Sequence, residues 1–496
     1  MTTLPRALEE ALESFDDIES DEESTDANGN NMVLLPSPSD PMAVARIFVG
    51  ECLHNGILTI RHWRGGWWMW RTAHWVELED RAVRSILYRF TERGIYVVDG
   101  EPKPWAPTRR KIVDLADALS AICILPNDID QPTWLEGRHS GVIVSVRNGL
   151  LDVGRRTLIP HTPHFFNQTS VPFDYDANVS APKRWLGFLA ALWPMQKNLE
   201  QRAEVDVLGE WFGYIISGRT DLHKILLMVG PTRGGKGAIA RALGGLIGPS
   251  NVAGPTLNSF GGEFGLAPLI GKPLAVISDA RFSGKDSSIV VERLLSISGE
   301  DTLTINRKYR DQWTGKLPTR LHVLSNELPK LGDASTAIVG RIVLLLLQNS
   351  WLGREDLTLE PALQEELTGI LNWALDGLHR LTITNKNVFT RVPSADEAIM
   401  VMRDLASPVG AFVREMCVTG PSEETPVDVL YAAYKRWAEE NGHPRKAKHT
   451  FGRVLRAAVS SVSLKRLWYD QSGESGQEHR LRLYVGIRLR GSDNGA

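Results

Sequence analysis

Three features predict an α/β fold for this 496-residue chain. Between residues 225 and 381, short apolar runs alternate with helical segments, the pattern of a mostly parallel sheet layered with helices. One of those runs leads straight into a glycine loop and a helix. Residues 405–491 read as three helices and a two-stranded ribbon, the make-up of a winged helix.

In chain order, residues 1–30 hold ten Asp/Glu against the single Arg6, so residues 1–41 read as an acidic disordered tail. Such a tail either aids solubility or competes with DNA for basic surfaces. Pro41–Asn55 reads as a helix. Ile57–Leu78 carries Trp63, Trp67, Trp68, Trp70 and Trp75 around Gly65–Gly66, as short strands about a tight turn do. These indoles belong either in a core or in stacks against bases. Helical segments at Arg81–Arg93 and Thr108–Cys123 follow, then Val142–Asp152, whose Asn148–Gly149 favours a hairpin. Residues 42–195 therefore form an α+β region before the core at 196–385. Amphipathic helices at Pro182–Trp193 and Glu200–Ser217 lead into the core strands Ile225–Met228, Leu274–Ser278, Leu321–Leu324 and Ile342–Leu347. Residues 386–404 read as a linker. The basic tail domain follows, with helices near Pro408–Cys417, Pro426–Asn441 and Lys448–Val459 and the strand pair Leu464–Tyr469 and Leu481–Arg488.

Composition excludes several classes. With 43% hydrophobic and 23% charged residues the chain resembles an ordinary soluble protein. No run of about 18 apolar residues would span a membrane. The acidic amino terminus is unlike a signal peptide, so a cytoplasmic location is expected. Cys52, Cys123 and Cys417 lie too far apart for a disulfide framework or a cysteine zinc site.

The chemistry concentrates in Gly230–Pro231–Thr232–Arg233–Gly234–Gly235–Lys236–Gly237. This stretch fits the phosphate-binding pattern G-x-x-x-x-G-K, in which backbone N–H groups and a helix amino end converge on phosphates and the lysine reaches the β/γ oxygens. A chance glycine-rich turn is the alternative. The hydroxyl that normally follows the lysine and holds magnesium is missing, since Gly237 and Ala238 stand there. Asp279, ending the strand 43 residues after Lys236, is either a metal-holding carboxylate or a helix cap. Asn326 ends another strand, where it either orients an attacking water or caps. Arg341, before the strand Ile342–Leu347, reaches a neighbouring subunit's nucleotide or is a surface arginine. Lys308 and Arg310 lie at the tip of an expected hairpin, suited to gripping a phosphate backbone or merely solvated. In the tail, Arg445, Lys446, Lys448, Arg453 and Arg456 cluster on or before the third helix, facing duplex phosphates or simply keeping the domain soluble.

Taken in order, the glycine loop, Asp279, Gly299–Glu300–Asp301 with Arg307–Lys308, Leu324–Ser325–Asn326–Glu327–Leu328–Pro329 and Gly340–Arg341 resemble superfamily 3 helicases. The likeness is nearest to the ATPase half of phage and plasmid primase-helicases, including the pox-virus-type branch. Arg147–Asp152, Pro160–Pro163, Leu208–Tyr214 and Gly369–Leu378 look like the family's flanking segments, so the resemblance covers roughly residues 45–385. Tyr431–Trp437 with Phe451–Leu455 is similar to its C-terminal winged helix. The resemblance implies an AAA+-like ring, usually hexameric, that uses ATP and Mg2+ to translocate on single-stranded DNA and separate forked DNA. It implies that Gly230–Gly237 binds ATP, Asp279 holds the metal, Asn326 is the sensor, Arg341 the arginine finger and Lys308 with Arg310 the pore hairpin. The missing hydroxyl, and Ala280 where a second acid usually follows Asp279, depart from the pattern and bear on hydrolysis more than on binding. The residues before Asn148 offer no obvious primase carboxylate pair, so helicase without primase is expected, with a primase or polymerase as a separate partner. The expected role is replication of a phage or mobile element, in the host cytoplasm if phage-encoded. The rivals are a P-loop ATPase that loads or remodels an initiation complex without processive unwinding, a non-catalytic DNA-binding regulator and a small-molecule kinase.

Overall fold

A computed structural model describes residues 24–25, 31–137, 141–194, 202–280, 287–308, 310–329, 336–443, 445–469 and 479–491. Most of the acidic tail lies outside these residues. From residue 31 onward, however, the expected tail is structured. β1 (Asn31–Leu34) is followed by α1 (Pro41–Glu51), the meander β2 (Ile60–Trp63), β3 (Gly66–Arg71) and β4 (His74–Leu78), then α2 (Asp80–Glu92), β5 (Gly94–Val98) and α3 (Arg109–Ile122). β1 pairs in parallel with β5, and Leu35 is buried. Ser24–Thr25 pair antiparallel with Asn31–Met32, and Val33 and Leu34 stay exposed while Leu35 enters the core. Asp40 caps α1 by accepting from the Ala43 N–H at 3.0 Å, and Pro41 fits the first turn. The tryptophans are core: Trp63, Trp67, Trp68 and Trp75 are buried, and Phe166 packs edge-on against three of them.

The expected 42–195 region divides. Residues 35–123 have their own apolar core. The hairpin β6 (Ile143–Val146) and β7 (Gly149–Asp152) and the helix α4 (Lys183–Leu192) instead contribute Val144, Leu151, Trp185 and Leu189 to the core of the following unit.

That unit is a mixed α/β layer. α5 (Ala203–Ile216) leads to β8 (Ile225–Val229) and α6 (Lys236–Ile247). Then come β9 (Val252–Ala253), β10 (Leu274–Ile277), α7 (Ser287–Ser298), the hairpin β11 (Leu303–Arg307) and β12 (Arg310–Gly315), β13 (Arg320–Ser325) and β14 (Ile342–Leu346). The sheet order is β9–β10–β13–β8–β14, all parallel. β8 and β13 are buried along their whole length, β8 as a continuous apolar run covered on both faces and β13 with Arg320, His322 and Ser325 buried among its apolar residues. β9 is too short to be read from sequence.

α8 (Leu359–Glu365) and α9 (Leu367–His379) close the unit, and α9 crosses α5 backbone against backbone. A Cβ at Gly377 would lie 2.1 Å from the Gly209 carbonyl carbon, and one at Gly213 2.6 Å from the Ala374 oxygen, so only glycine fits. Residues 386–404, expected as a linker, include most of α10 (Pro393–Ala406), whose Ala395, Ala398 and Met402 pack into the same core. Small residues spaced one helical turn apart make that face apolar without a strong hydrophobic signal. The tail has α11 (Pro408–Met416), β15 (Cys417–Pro426), α12 (Val427–Glu440), α13 (Lys448–Ala458), β16 (Ser463–Tyr469) and β17 (His479–Leu489), with sheet order β15–β17–β16 and a separate core. The strand β15 was not expected. No helix among the described residues is long and apolar enough to cross a membrane.

Glu210, on α5, is fully buried and fastens the closing segment. It accepts from the Arg380 Nε at 3.3 Å, the Asn385 amide at 3.1 Å, and the backbone N–H (2.8 Å) and hydroxyl (2.5 Å) of Thr390. Burial pushes its pKa up, while Thr390 and Arg380 pull it back. Removing the carboxylate takes an acceptor from all four donors, of which the Asn385 amide alone keeps another, the Thr390 hydroxyl at 3.0 Å. Glu210→Ala should therefore lose about 3 kcal/mol in a denaturant titration, and Glu210→Gln clearly less, because the amide oxygen still accepts. A loss below about 1 kcal/mol for Glu210→Ala would show that the network fastens nothing.

Candidate functional site

The parallel register fixes what meets at the sheet's carboxyl edge. Val229 lies opposite both Ser325 and Leu346, and Ile277 opposite Val323. Gly230 and Asn326, each next after a paired residue, and Asp279, two after Ile277, therefore emerge at one edge, the crevice where open α/β sheets bind ligands. Thr232–Gly237, Asp279 and Asn326 face a cleft of about 740 Å³.

The glycine loop is built by close approach. A Cβ at Gly230 would sit 2.5 Å from the Leu347 carbonyl oxygen, and Gly235 has φ +93°, which favours glycine. The loop is fastened to the chain beyond β14: the Trp351 N–H donates to the Arg233 carbonyl at 3.1 Å, and the Ser350 hydroxyl to the Thr232 carbonyl at 2.8 Å. Gly235 precedes α6, and no side chain caps that helix. Its first N–H groups and positive end are thus directed at the cleft, an arrangement suited to an anion.

Lys236 is buried, and its ammonium donates to the carbonyls of Gly230 (2.5 Å) and Pro231 (2.8 Å) and to Asn326 Oδ1 (3.0 Å). Burial lowers its pKa, and Asp279 opposes that shift. Neutral oxygens satisfy the charge here. Anionic oxygens would bind it more strongly. Asp279 has left-handed backbone, φ +50°, and it and Ser278 are exposed toward the cleft. Such a conformation at a non-glycine residue marks a candidate functional position. Among the described residues no group of three or more His, Cys, Asp or Glu could hold a metal. Asp279 and Ser278 could still supply one or two ligands to a magnesium ion whose other ligands are phosphate oxygens and water, as magnesium accepts.

The other expected residues lie elsewhere. Arg341 precedes β14, at the sheet's amino edge, roughly 16 Å from the cleft for a five-residue strand. Its guanidinium donates to the Leu295 carbonyl and the Ser298 hydroxyl at the end of α7. Lys308 is exposed beyond β11 at the tip of the β11–β12 hairpin, which enters β13 from that same amino edge. Tyr309 and the side chain of Arg310 lie outside the described residues. In the tail, Lys448 pairs with Asp428, Arg456 Nε donates to the Gly452 carbonyl at 3.1 Å, Arg453 is exposed and the Lys446 carbonyl accepts from Tyr431.

The cleft also has walls that sequence reasoning missed. Arg184 and Phe188 of α4 and Trp351 face it, and Glu355, Asp356 and Glu360 pair across it with Arg233, Arg184 and Arg241. Tertiary packing brings α4 and residues 351–360 together, and no local spacing announces that. Arg241 alone carried a signal, four residues after Gly237 on one helix.

Two family models match parts of the chain. Residues 228–341 match a family of unknown function, DUF5906, and residues 406–477 match the Poxvirus D5 protein-like family. Similar solved structures include the apo C-terminal region of NrS-1, at 12% identity and a TM-score of 0.49, covering 90% of this chain and 99% of that one. An A-form structure of that region gives 12% identity, a TM-score of 0.46 and the same coverage. The tail is thus similar to Poxvirus D5 proteins, and the span from β8 to Arg341 to a family without assigned function.

Proposed function

We propose that this protein is an ATP-dependent DNA helicase of superfamily 3, D5-like, acting in replication of a phage or mobile element. The observation that carries the reading is the convergence of Thr232–Gly237, Asp279 and Asn326 on one cleft at the carboxyl edge of a parallel sheet. The Poxvirus D5-like match of residues 406–477 supports it independently. In this reading the core is AAA+-like and the tail a winged helix whose Lys446, Lys448, Arg453 and Arg456 face duplex DNA.

The loop N–H groups and the amino end of α6 would hold the β- and γ-phosphates of ATP. Lys236 would exchange the Gly230 and Pro231 carbonyls for phosphate oxygens, the charge-assisted bonds being the stronger. That exchange would free Asn326 Oδ1 to orient a water toward the γ-phosphorus. Magnesium bound beside Asp279 would neutralise charge on the transferred phosphoryl group. Arg341, at the opposite edge, is suited to reach the cleft of a second copy in a homo-hexameric ring once it leaves Leu295 and Ser298. The hairpin bearing Lys308 and Arg310 would grip single-stranded DNA at that edge.

ATPase activity measured with and without single-stranded DNA, beside unwinding of a forked duplex, tests the whole reading. DNA-stimulated hydrolysis with unwinding is expected. DNA-stimulated hydrolysis without unwinding would favour a loading or remodelling ATPase. Lys236→Ala should lower turnover by at least about 100-fold and weaken ATP binding, because the ammonium meets charge that develops on the phosphoryl oxygens. Asp279→Asn should bind ATP within a few-fold of wild type yet lose turnover comparably. Unchanged turnover in either variant would remove that residue from the site.

The double variant Lys308→Ala/Arg310→Ala should keep basal hydrolysis and lose both DNA stimulation and unwinding. Its single-strand affinity should also depend less on salt, by about one phosphate contact per cation removed. Wild-type unwinding by this variant would strip the hairpin of its DNA-gripping role.

A further inference from the structure

Gly237 leaves a gap where P-loops usually carry a hydroxyl, and the fold fills it. Gly237 is the second residue of α6, and a helical side chain leans toward the helix's amino end, over the residue four positions back. Arg241 does so here. A Cβ built at Gly237 would lie 3.0 Å from Arg241 Nη1, so the guanidinium occupies the space a side chain at 237 would take. It lines the same cleft as Lys236, Asp279 and Asn326.

Electrostatics make this an unusual place for a cation. The amino end of a helix carries partial positive charge and favours anions. Glu360 supplies one at rest, its Oε1 lying 2.7 Å from Arg241 Nε. Two similar pairs line the cleft, Arg184–Asp356 at 2.8 Å and Arg233–Glu355 at 3.5 Å. Side chains in all three are substantially exposed, and such pairs contribute little, so a polyphosphate can replace the carboxylates at small cost. A planar guanidinium also binds phosphate through two parallel hydrogen bonds, which an ammonium cannot do.

We infer that Arg241 is a phosphate ligand: when a nucleoside triphosphate enters, its guanidinium leaves Glu360 for the phosphate oxygens and neutralises charge at the position where a P-loop hydroxyl would otherwise hold a divalent cation. Glu360 is its resting counter-ion, and the absence of a side chain at Gly237 lets the guanidinium lie close over the first turn of α6. The inference rests on the P-loop reading of Gly230–Gly237. It makes nucleotide binding by this chain less dependent on magnesium than a hydroxyl-bearing loop would be.

Calorimetric titration of the full chain with a non-hydrolysable ATP analogue, in magnesium and again in EDTA, tests it without relying on turnover. Wild type should still bind in EDTA, weakened by no more than about tenfold. Arg241→Ala should bind about tenfold more weakly in magnesium and about 100-fold more weakly in EDTA, the range expected for losing one or two charge-assisted hydrogen bonds. Arg241→Lys should recover part of the loss. Glu360→Gln, a mild change at an exposed position, should tighten binding several-fold by releasing the arginine. It gives an independent answer should Arg241→Ala fail to fold. Wild-type affinity in Arg241→Ala under both conditions, with Lys236→Ala defective, would overturn the role of Arg241 and leave the P-loop reading standing. Unchanged affinity in Glu360→Gln would overturn it equally. Absence of binding by wild type would overturn the P-loop reading, and this inference with it.

Discussion

The parallel pairing of β8 with β13 on one side and β14 on the other is the constraint on which the site depends. In a parallel sheet every strand ends at the same edge, so a register set by buried apolar side chains also sets which polar residues meet there. Val229 opposite Ser325 places Gly230 beside Asn326, and Ile277 opposite Val323 brings Asp279 to the same crevice. A slip of one residue would reverse the inward and outward faces of a strand and scatter all three. Because β8 and β13 are buried along their whole length, such a slip would also break close packing on both faces.

The same topology separates two tasks. Phosphate chemistry is suited to the carboxyl edge, with its glycine loop and uncapped helix. The β11–β12 hairpin and Arg341 lie at the amino edge, and α7 runs between them: it begins soon after Asp279 and ends at Ser298, which holds Arg341. The segment after β14 is bound to the glycine loop through Trp351 and Ser350 and to the cleft's cations through Glu355, Asp356 and Glu360. Contents of the cleft and position of that segment are therefore linked.

Much of this was legible in the sequence, for physical reasons. A strand buried on both faces reads as a near-continuous apolar run, so Ile225–Val229 announces itself, and Leu321–Leu324 does so despite the buried His322. Gly230, Gly234, Gly235 and Lys236 are legible because the backbone must approach closely there. Asp279 and Asn326 follow as the polar residues that end apolar strands. Three kinds of feature were hidden. β1 was hidden beside an acidic run, and α10 by a buried face of alanines. Val144, Leu151, Trp185 and Leu189 join the core of the later unit, a division that only long-range packing decides. The walls of the cleft, α4 and residues 351–360, are more than 150 residues apart in the chain and meet through ion pairs such as Arg184–Asp356. Exposed charges of this kind look in sequence like any solvated surface.

The most direct measurement is a crystal structure of the full chain with a non-hydrolysable ATP analogue and magnesium. The triphosphate should lie along Gly230–Gly237, with the Lys236 ammonium moved from the Gly230 and Pro231 carbonyls onto phosphate oxygens and Asp279 facing the metal. An analogue bound elsewhere, or Lys236 still on those carbonyls beside a bound nucleotide, would contradict the assignment of this cleft as the site of ATP hydrolysis.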